Sequence, residues 1–287
     1  MGDTVSILML AHNKAEYTRR TLEALLHSTL RPVQVVLVNN GSTDGTGALF
    51  EAFRLRGAQA GLGVEVLSLP ENLGAITGRN RGLERLHGDY WVFLDNDVCV
   101  RTRSWLEQLR TVLQADSQLG VVGPKLVYPL PPHAIQCAGC AVTPAGQVIF
   151  CGRGEPRVKP EWNAPRECQT LISACWMLPA RVARQVGALD ERFSPVQFED
   201  IDYCYRIREA GLRCGYAPSV EMYHFENVTS GRTAALNYPY LTVKHGLKFK
   251  EKWQHRFSQE GGPAAWDWAK IPTVQLEDVP EQLELLP

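Results

Sequence analysis

Short apolar runs separated by helical stretches fill the chain from Val5 to Lys125, and this alternation leaves few folds open. The runs are Val5–Ala11, Val33–Asn39, Val64–Leu69, Tyr90–Leu94 and Gly120–Lys125. Between them lie helical stretches at Glu16–Ser28, Thr46–Arg56, Ala75–Leu86 and Trp105–Ala115. Strands alternating with helices at this spacing predict an α/β fold with a mostly parallel sheet and helices on both faces. Tyr90-Trp91-Val92-Phe93-Leu94 is continuously apolar, as a strand covered on both faces favours. No Gly-x-Gly-x-x-Gly opens a helix after a strand, and there is no Walker-type loop, which disfavours dinucleotide and NTPase sites.

The character changes after Tyr128-Pro129-Leu130-Pro131-Pro132. Residues 134–154 are rich in Gly, Cys and Val and read as hairpins and loops. The polar, Pro-rich segment 153–166 is expected to be a mobile loop. A helix is expected over Glu199–Ala210, ended by Gly211, and a short strand over Arg213–Ala217. The Pro- and Glu-rich C-terminus is expected to fray.

Charge removes other classes. Lys+Arg number 30 and Asp+Glu 31, leaving a net charge of −1. No global basic field is available to hold nucleic acid. No apolar run approaches the roughly 18–20 residues that span a bilayer. No charged segment or cleavage site of a signal peptide is expected, which points to the cytoplasm. The 8 cysteines are then expected as reduced thiols. Cys137-Ala-Gly-Cys140 has zinc-knuckle spacing, but no second such pair completes it.

Asp95-Asn96-Asp97 directly follows the apolar run Tyr90–Leu94. In open parallel sheets ligands bind outside the carboxyl ends of the strands. Alternation points Asp95 and Asp97 to one side and Asn96 to the other. Two hard oxygen ligands suit a divalent cation, which can carry the charge of a diphosphate leaving group. Further along, Glu199, Asp200 and Asp202 crowd the start of a helix. The helix dipole favours them there, while mutual repulsion can raise one pKa. Asp202 and Arg206 stand at i,i+4 and are expected to pair on the helix surface.

These pieces follow one another in a specific order. Asn39-Asn40-Gly41-Ser42-Thr43-Asp44-Gly45-Thr46 follows the second strand. Asn72-Leu73-Gly74 and Gly78-Arg79-Asn80-Arg81-Gly82 precede the fourth. Then come Asp95-Asn96-Asp97, Phe198-Glu199-Asp200-Ile201-Asp202 and Tyr223-His224. From Val5 to Thr229 the chain closely resembles the family 2 glycosyltransferases of the GT-A fold, especially their rhamnosyltransferase-like branch. The resemblance implies a Rossmann-like sheet with a smaller mixed region on the acceptor side. It implies inverting transfer of a sugar from a UDP- or dTDP-sugar, with Mn²⁺ or Mg²⁺, in surface glycan or glycoconjugate synthesis. The acceptor would be a glycan, a lipid-linked sugar or a peptide.

Residue by residue, the resemblance assigns nucleotide-sugar contacts to Ala11, His12, Asn13, Glu16, Asn40, Asn72, Gly74, Arg79, Asp95 and Asn96. It assigns the metal to Asp95, Asp97 and His224, and base catalysis to Asp200, with Glu199 beside it. Imidazole among carboxylates tips a site toward Mn²⁺. One continuous domain is expected. Residues 1–125 form the nucleotide-sugar half, 126–235 the acceptor and catalytic half, and 236–287 a C-terminal helix and tail. Two departures stand out: Asn39 and Asn40 replace usual aspartates, and the first strand ends Leu10-Ala11-His12-Asn13. They leave the base, uracil or thymine, open. A non-catalytic sugar-nucleotide-binding protein and a sugar nucleotidylyltransferase are the competing readings. The segment Ala11–Arg20 has no glycine, which weighs against the second.

Tyr238 to Arg256 carries Lys244, Lys248, Lys250, Lys252 and Arg256 among Tyr240, Leu241, Val243, Leu247, Phe249 and Trp253. A basic amphipathic helix can lie on an anionic membrane. These apolar positions are not cleanly periodic, so core packing is expected, with at most weak peripheral contact at the inner membrane face. A homodimer is compatible with the sequence.

Overall fold

The computed structural model describes residues 3–226, 228, 237–263 and 274–287. The first half alternates as expected: β1 (Val5–Ala11), α1 (Ala15–Leu25), β2 (Val33–Asn40), α2 (Thr46–Gln59), β3 (Leu62–Leu69), α3 (Gly74–Leu83) and β4 (Tyr90–Leu94). Then follow β5 (Val98–Val100), α4 (Trp105–Ala115), β6 (Leu119–Val127), β7 (Ile135–Cys137), β8 (Cys140–Val142) and β9 (Val148–Phe150). The second half adds β10 (Arg166–Cys168), β11 (Cys175–Pro179), α5 (Ala180–Val186), α6 (Glu199–Glu209), β12 (Arg213–His224) and α7 (Tyr238–Phe257).

The main sheet runs β10-β12-β6-β11-β4-β1-β2-β3, with β5 on β12 and β7 on β6. Strands β3, β2, β1 and β4 pair in parallel, as do β6 and β12. Strand β11 lies antiparallel between β4 and β6, and β10 lies antiparallel on β12. The result is the expected mostly parallel sheet with a mixed region, and it buries apolar side chains on both faces.

Helix α3 is a poor helix on propensity, since three glycines occupy it. They have a packing reason. A Cβ on Gly78 would lie 2.4 Å from Leu10 Cδ1, and one on Gly82 2.3 Å from Leu8 Cδ1. Bare backbone at these i,i+4 positions lets α3 sink onto β1 and β2. At Gly74, φ is +81° and a Cβ would meet the Pro195 backbone at 2.8 Å. The loop before α6 therefore docks on the first turn of α3, with Ala75 N–H donating to Pro195 O at 2.8 Å.

Four expectations need correction. Described residues 274–287 of the C-terminus do not fray: Leu286 bridges Thr102, Glu284 pairs with fully buried Arg101 at 2.8 Å, and Val274 and Val279 are buried. Segment 153–166 is pinned by buried Trp162 and by Lys125 Nζ, which donates to Asn163 Oδ1 at 2.6 Å. The short strand at Arg213–Ala217 is the first part of β12, which continues to His224 through a register shift between Ala217 and Glu221. Asp202 is not on the helix surface. It is fully buried and accepts from Arg206 Nε at 2.9 Å, Trp253 Nε1 at 2.8 Å and Lys252 Nζ at 2.6 Å. The boundary expected at 235/236 and the end of the resemblance at Thr229 lie outside the described residues.

Candidate active site

Short loops at the carboxyl ends of the parallel strands enclose a cleft of about 1230 Å³. On one wall, β4 ends at Leu94 and the chain turns sharply, with Val98 N–H donating to Asp95 O at 3.2 Å. The next three residues form β5, whose Val98 pairs with His224 at the end of β12. Phe225 N–H closes the pairing onto Asp97 O at 3.1 Å. This local sheet places His224 Nε2 3.6 Å from Asp97 Oδ1. Asp95, Asp97 and His224 each offer one ligand atom, all within 4.8 Å of one another. Among the described residues no other His/Cys/Asp/Glu group of three is so placed. Two carboxylates and an imidazole on a rigid strand pair are a donor set that fits Mn²⁺ or Mg²⁺. Burial favours the neutral ring of His224, but the Asp97 carboxylate outweighs it and holds the pKa up to about 9. A cation would therefore displace a proton on binding.

Asn96 turns the other way, as alternation requires. It is buried, its Nδ2 donates to Thr18 Oγ1 at 2.9 Å, and its carbonyl accepts from Thr21 Oγ1 at 2.9 Å. Its role in the structure is to tie the Asp-x-Asp turn to α1.

The opposite wall is the first turn of α6. Gln197 (φ 85°) and Phe198 (φ 69°) both have left-handed backbones. Such conformations persist only where the surroundings enforce them. Here Phe198 packs against Phe249 with ring centroids 5.5 Å apart. Thr242 Oγ1 donates to Gln197 Oε1 at 2.6 Å, and His245 Nδ1 contacts Val196 O at 2.8 Å. Helix α7 thus buttresses the turn that presents Glu199 and Asp200. Backbone N–H groups hold the Asp200 carboxylate, from Ile201 at 2.8 Å and Ser173 at 3.2 Å.

Arg79 joins the two walls. It is buried, pairs closely with Asp95, and donates to Glu199 Oε1 and Ser173 Oγ at 3.2 Å each. Glu199 Oε2 is buried without a hydrogen-bond partner. Burial first, and then the charge of Asp200, push the Glu199 carboxyl up to about 7 against the pull of Arg79. Burial also raises Asp200, opposed by the N–H groups of Ile201 and Ser173. A raised carboxylate close to working pH suits proton abstraction.

All but one of the residues assigned from the sequence line this cleft: His12, Asn13, Glu16, Asn40, Asn72, Gly74, Arg79, Asp95, Asn96, Asp97, Glu199, Asp200 and His224. Ala11 is the exception; it is fully buried in the core. Several are already engaged by protein. Asn13 Oδ1 accepts from Thr43 N–H at 2.8 Å and Asp44 N–H at 3.2 Å. Asn40 donates to Asn72 Oδ1 at 2.9 Å and Gly74 O at 3.1 Å, and accepts from Leu73 N–H at 3.0 Å. Glu16 is half exposed at the rim and pairs with Arg19. His12 Nδ1 contacts Asn40 O at 2.8 Å. These contacts lace the β1, β2 and β3 loops together. Two residues of the site were not anticipated. Ser173 holds both Arg79 and Asp200, and Gln136 contacts His224. No sequence motif marks either.

Residues 6–135 match the family described as "Glycosyl transferase family 2". Residues 6–135 thus match a family 2 glycosyltransferase domain, and the fold is that of the GT-A glycosyltransferases. It is 28% identical over 258 residues to the N-acetylglucosaminyl-diphospho-decaprenol L-rhamnosyltransferase of Mycobacterium tuberculosis, covering 82% of this chain and 80% of the relative. It is 30% identical over 237 residues to the O-antigen biosynthesis protein RfbC of Myxococcus xanthus, covering 78% of this chain but 17% of that one. An uncharacterized protein of Sinorhizobium fredii, y4gI, is 27% identical, and the chain spans 25% of its length. Among solved structures, GalNAc-T7 with UDP, GalNAc and Mn²⁺ superposes with a TM-score of 0.69 at 17% identity, covering 89% of this chain and 50% of that one. The mannosyltransferase PcManGT of Pyrobaculum calidifontis, in complex with GDP-Man and Mn²⁺, gives 0.56 at 17% identity, covering 89% and 72%. At these identities the structural likeness establishes the fold.

Proposed function

We propose that this chain transfers a hexosyl group from a UDP- or dTDP-sugar to an acceptor hydroxyl, inverting the anomeric centre. The observation that carries the reading is one cleft with a cation-type donor set on one wall and a raised carboxylate pair on the other, joined through Arg79. Asp95, Asp97 and His224 would hold the cation, Mn²⁺ ahead of Mg²⁺ because of the imidazole. When bound, it supplies positive charge to the departing diphosphate.

The rest of the chemistry belongs to the chain. Asp200, fixed by two backbone N–H groups, takes the proton of the acceptor hydroxyl as that oxygen attacks C1. The nucleoside diphosphate leaves from the opposite face, so a single displacement inverts the centre. Glu199 shares the proton load with Asp200, since two adjacent carboxylates, one buried and one half-buried, do not both ionise readily. Arg79 keeps Glu199 and Asp95 at a fixed separation. The nucleotide sits over the β1 and β2 loops, among His12, Asn13, Glu16, Asn40, Asn72 and Gly74.

The likeness to a rhamnosyltransferase and an O-antigen biosynthesis protein supports a role in surface glycan or glycoconjugate synthesis, with a glycan, lipid-linked or peptide acceptor. We place the protein in the cytoplasm. Among the described residues no helix is long and apolar enough to cross a membrane. Any membrane contact through α7 is weak. Leu241, His245, Phe249, Trp253 and Phe257 face the core, and Lys248 and Lys252 are held by Arg192 O and Asp190. Exposed Tyr240, Val243 and Leu247 remain for peripheral contact or a homodimer. Thermal shift and nucleoside diphosphate release across a panel of nucleotide sugars, with and without Mn²⁺, test the reading. One donor should stabilise the protein and be turned over only with metal. No response to any UDP- or dTDP-sugar would refute it.

A further inference from the structure

Gln136 stands outside every motif of the sequence, yet it is 1% exposed and lines the cleft. It lies on β7, whose backbone is held on both edges. Leu126 and Val127 of β6 pair on one side; on the other, Ile135 N–H donates to Glu155 O at 2.9 Å and Gly154 N–H to Ile135 O at 2.8 Å. From this fixed position the Gln136 Oε1 lies 3.0 Å from Nδ1 of His224. The far nitrogen of the same ring, Nε2, faces Asp97.

An amide oxygen can only accept. The hydrogen bond therefore requires the proton of a neutral His224 ring to sit on Nδ1, which leaves the Nε2 lone pair directed at the carboxylates. We infer that Gln136 is a positioning residue for the site, fixing the orientation and tautomer of His224 so that Nε2 is presented as a metal ligand. This rests on the reading of Asp95, Asp97 and His224 as a cation site. Outer partners of this kind hold ligating histidines in place, and their loss weakens metal binding about 10–100-fold. Gln136 is 88 residues from His224 in the chain, so only the sheet, through β7, β6 and β12, brings them together.

Imidazole ¹⁵N NMR of the metal-free protein, at a pH where His224 is neutral, tests the tautomer without any variant. The expected signal is the Nδ1–H form. The Nε2–H form in the wild type would overturn the inference. Calorimetric titration with Mn²⁺ alone gives the second arm. Gln136→Leu should mix the tautomers and weaken Mn²⁺ about 10–100-fold, whereas Gln136→Glu, which keeps an acceptor oxygen, should restore the Nδ1–H form. A folded Gln136→Leu with wild-type tautomer and wild-type Mn²⁺ affinity would also overturn it. If the wild type binds no Mn²⁺ yet holds the Nδ1–H form, the cation reading fails while the orienting contact stands.

Discussion

At the residue scale the site turns on carboxylates whose surroundings differ. Asp200 is held by N–H groups and is half-buried, open to an acceptor. Asp200→Asn keeps the shape and one of the two N–H contacts, which reach different oxygens, but removes the proposed base. Its kcat should fall on the order of 10²–10⁴-fold, with donor affinity unchanged, because the lost interaction exists only in the transition state. Steady-state kinetics beside donor calorimetry check this; an equal loss in both would assign Asp200 to donor binding. Glu199 makes a different prediction. Its folded pKa, about 7, lies above the ordinary 4.5 because of burial and Asp200. A group raised in the fold stabilises most below its unfolded pKa, and that contribution is lost as pH rises through about 7. Glu199→Gln stays neutral throughout. Its Tm relative to wild type should therefore rise between pH 5 and pH 8, and a pH-independent difference would contradict the raised pKa.

At the element scale, the strands of the first half were legible because each is a short, mainly apolar run rich in Val, Leu and Ile or aromatic residues and set between helical stretches. Asp95 and Asp97 were legible because strand-end position and alternation are local properties. What was not legible depends on contacts between distant segments. Pro218 broke the pattern of β12, yet the sheet absorbs the interruption as a register shift. The left-handed Gln197 and Phe198 carry no glycine to signal the turn, which α7 enforces from outside. The apolar residues of α7 look irregular because Tyr240, Val243 and Leu247 overlie a regular buried set at i,i+4. Phe249, fully buried among Phe198, Tyr205 and Phe257, tests that buttress. Phe249→Ala should destabilise the protein by about 3–5 kcal/mol in denaturant unfolding without lipid, and lower kcat besides. A helix meant for a membrane surface would lose little. In α3, Gly82→Ala puts a methyl group against Leu8 and Val38. Overpacking there should cost about 1–3 kcal/mol, read as a lower midpoint at unchanged m-value; a neutral effect would mean that α3 sits less tightly on the sheet.

At the scale of the whole molecule, the C-terminal segment folds back onto α1 and the residues after β5. The C-terminus was expected to fray on composition, since Pro and Glu favour solvated chain. Composition could not show that Arg19, Arg20 and Arg101 wait for Glu281 and Glu284. Glu284 also touches the neighbourhood of the β5–β12 pair, whose ends carry Asp97 and His224: its carboxylate meets Arg101 just after β5, and its carbonyl accepts from the Tyr223 hydroxyl of β12 at 3.1 Å. The central claim is that Asp97 and His224, with Asp95, support donor binding opposite Asp200. The most direct test is calorimetric titration of wild type, Asp97→Ala and Asp200→Asn with UDP and dTDP, each with and without Mn²⁺. The prediction is metal-dependent binding of one nucleotide to the wild type and to Asp200→Asn, and its loss in a folded Asp97→Ala. Undiminished, metal-independent binding by Asp97→Ala would contradict the account.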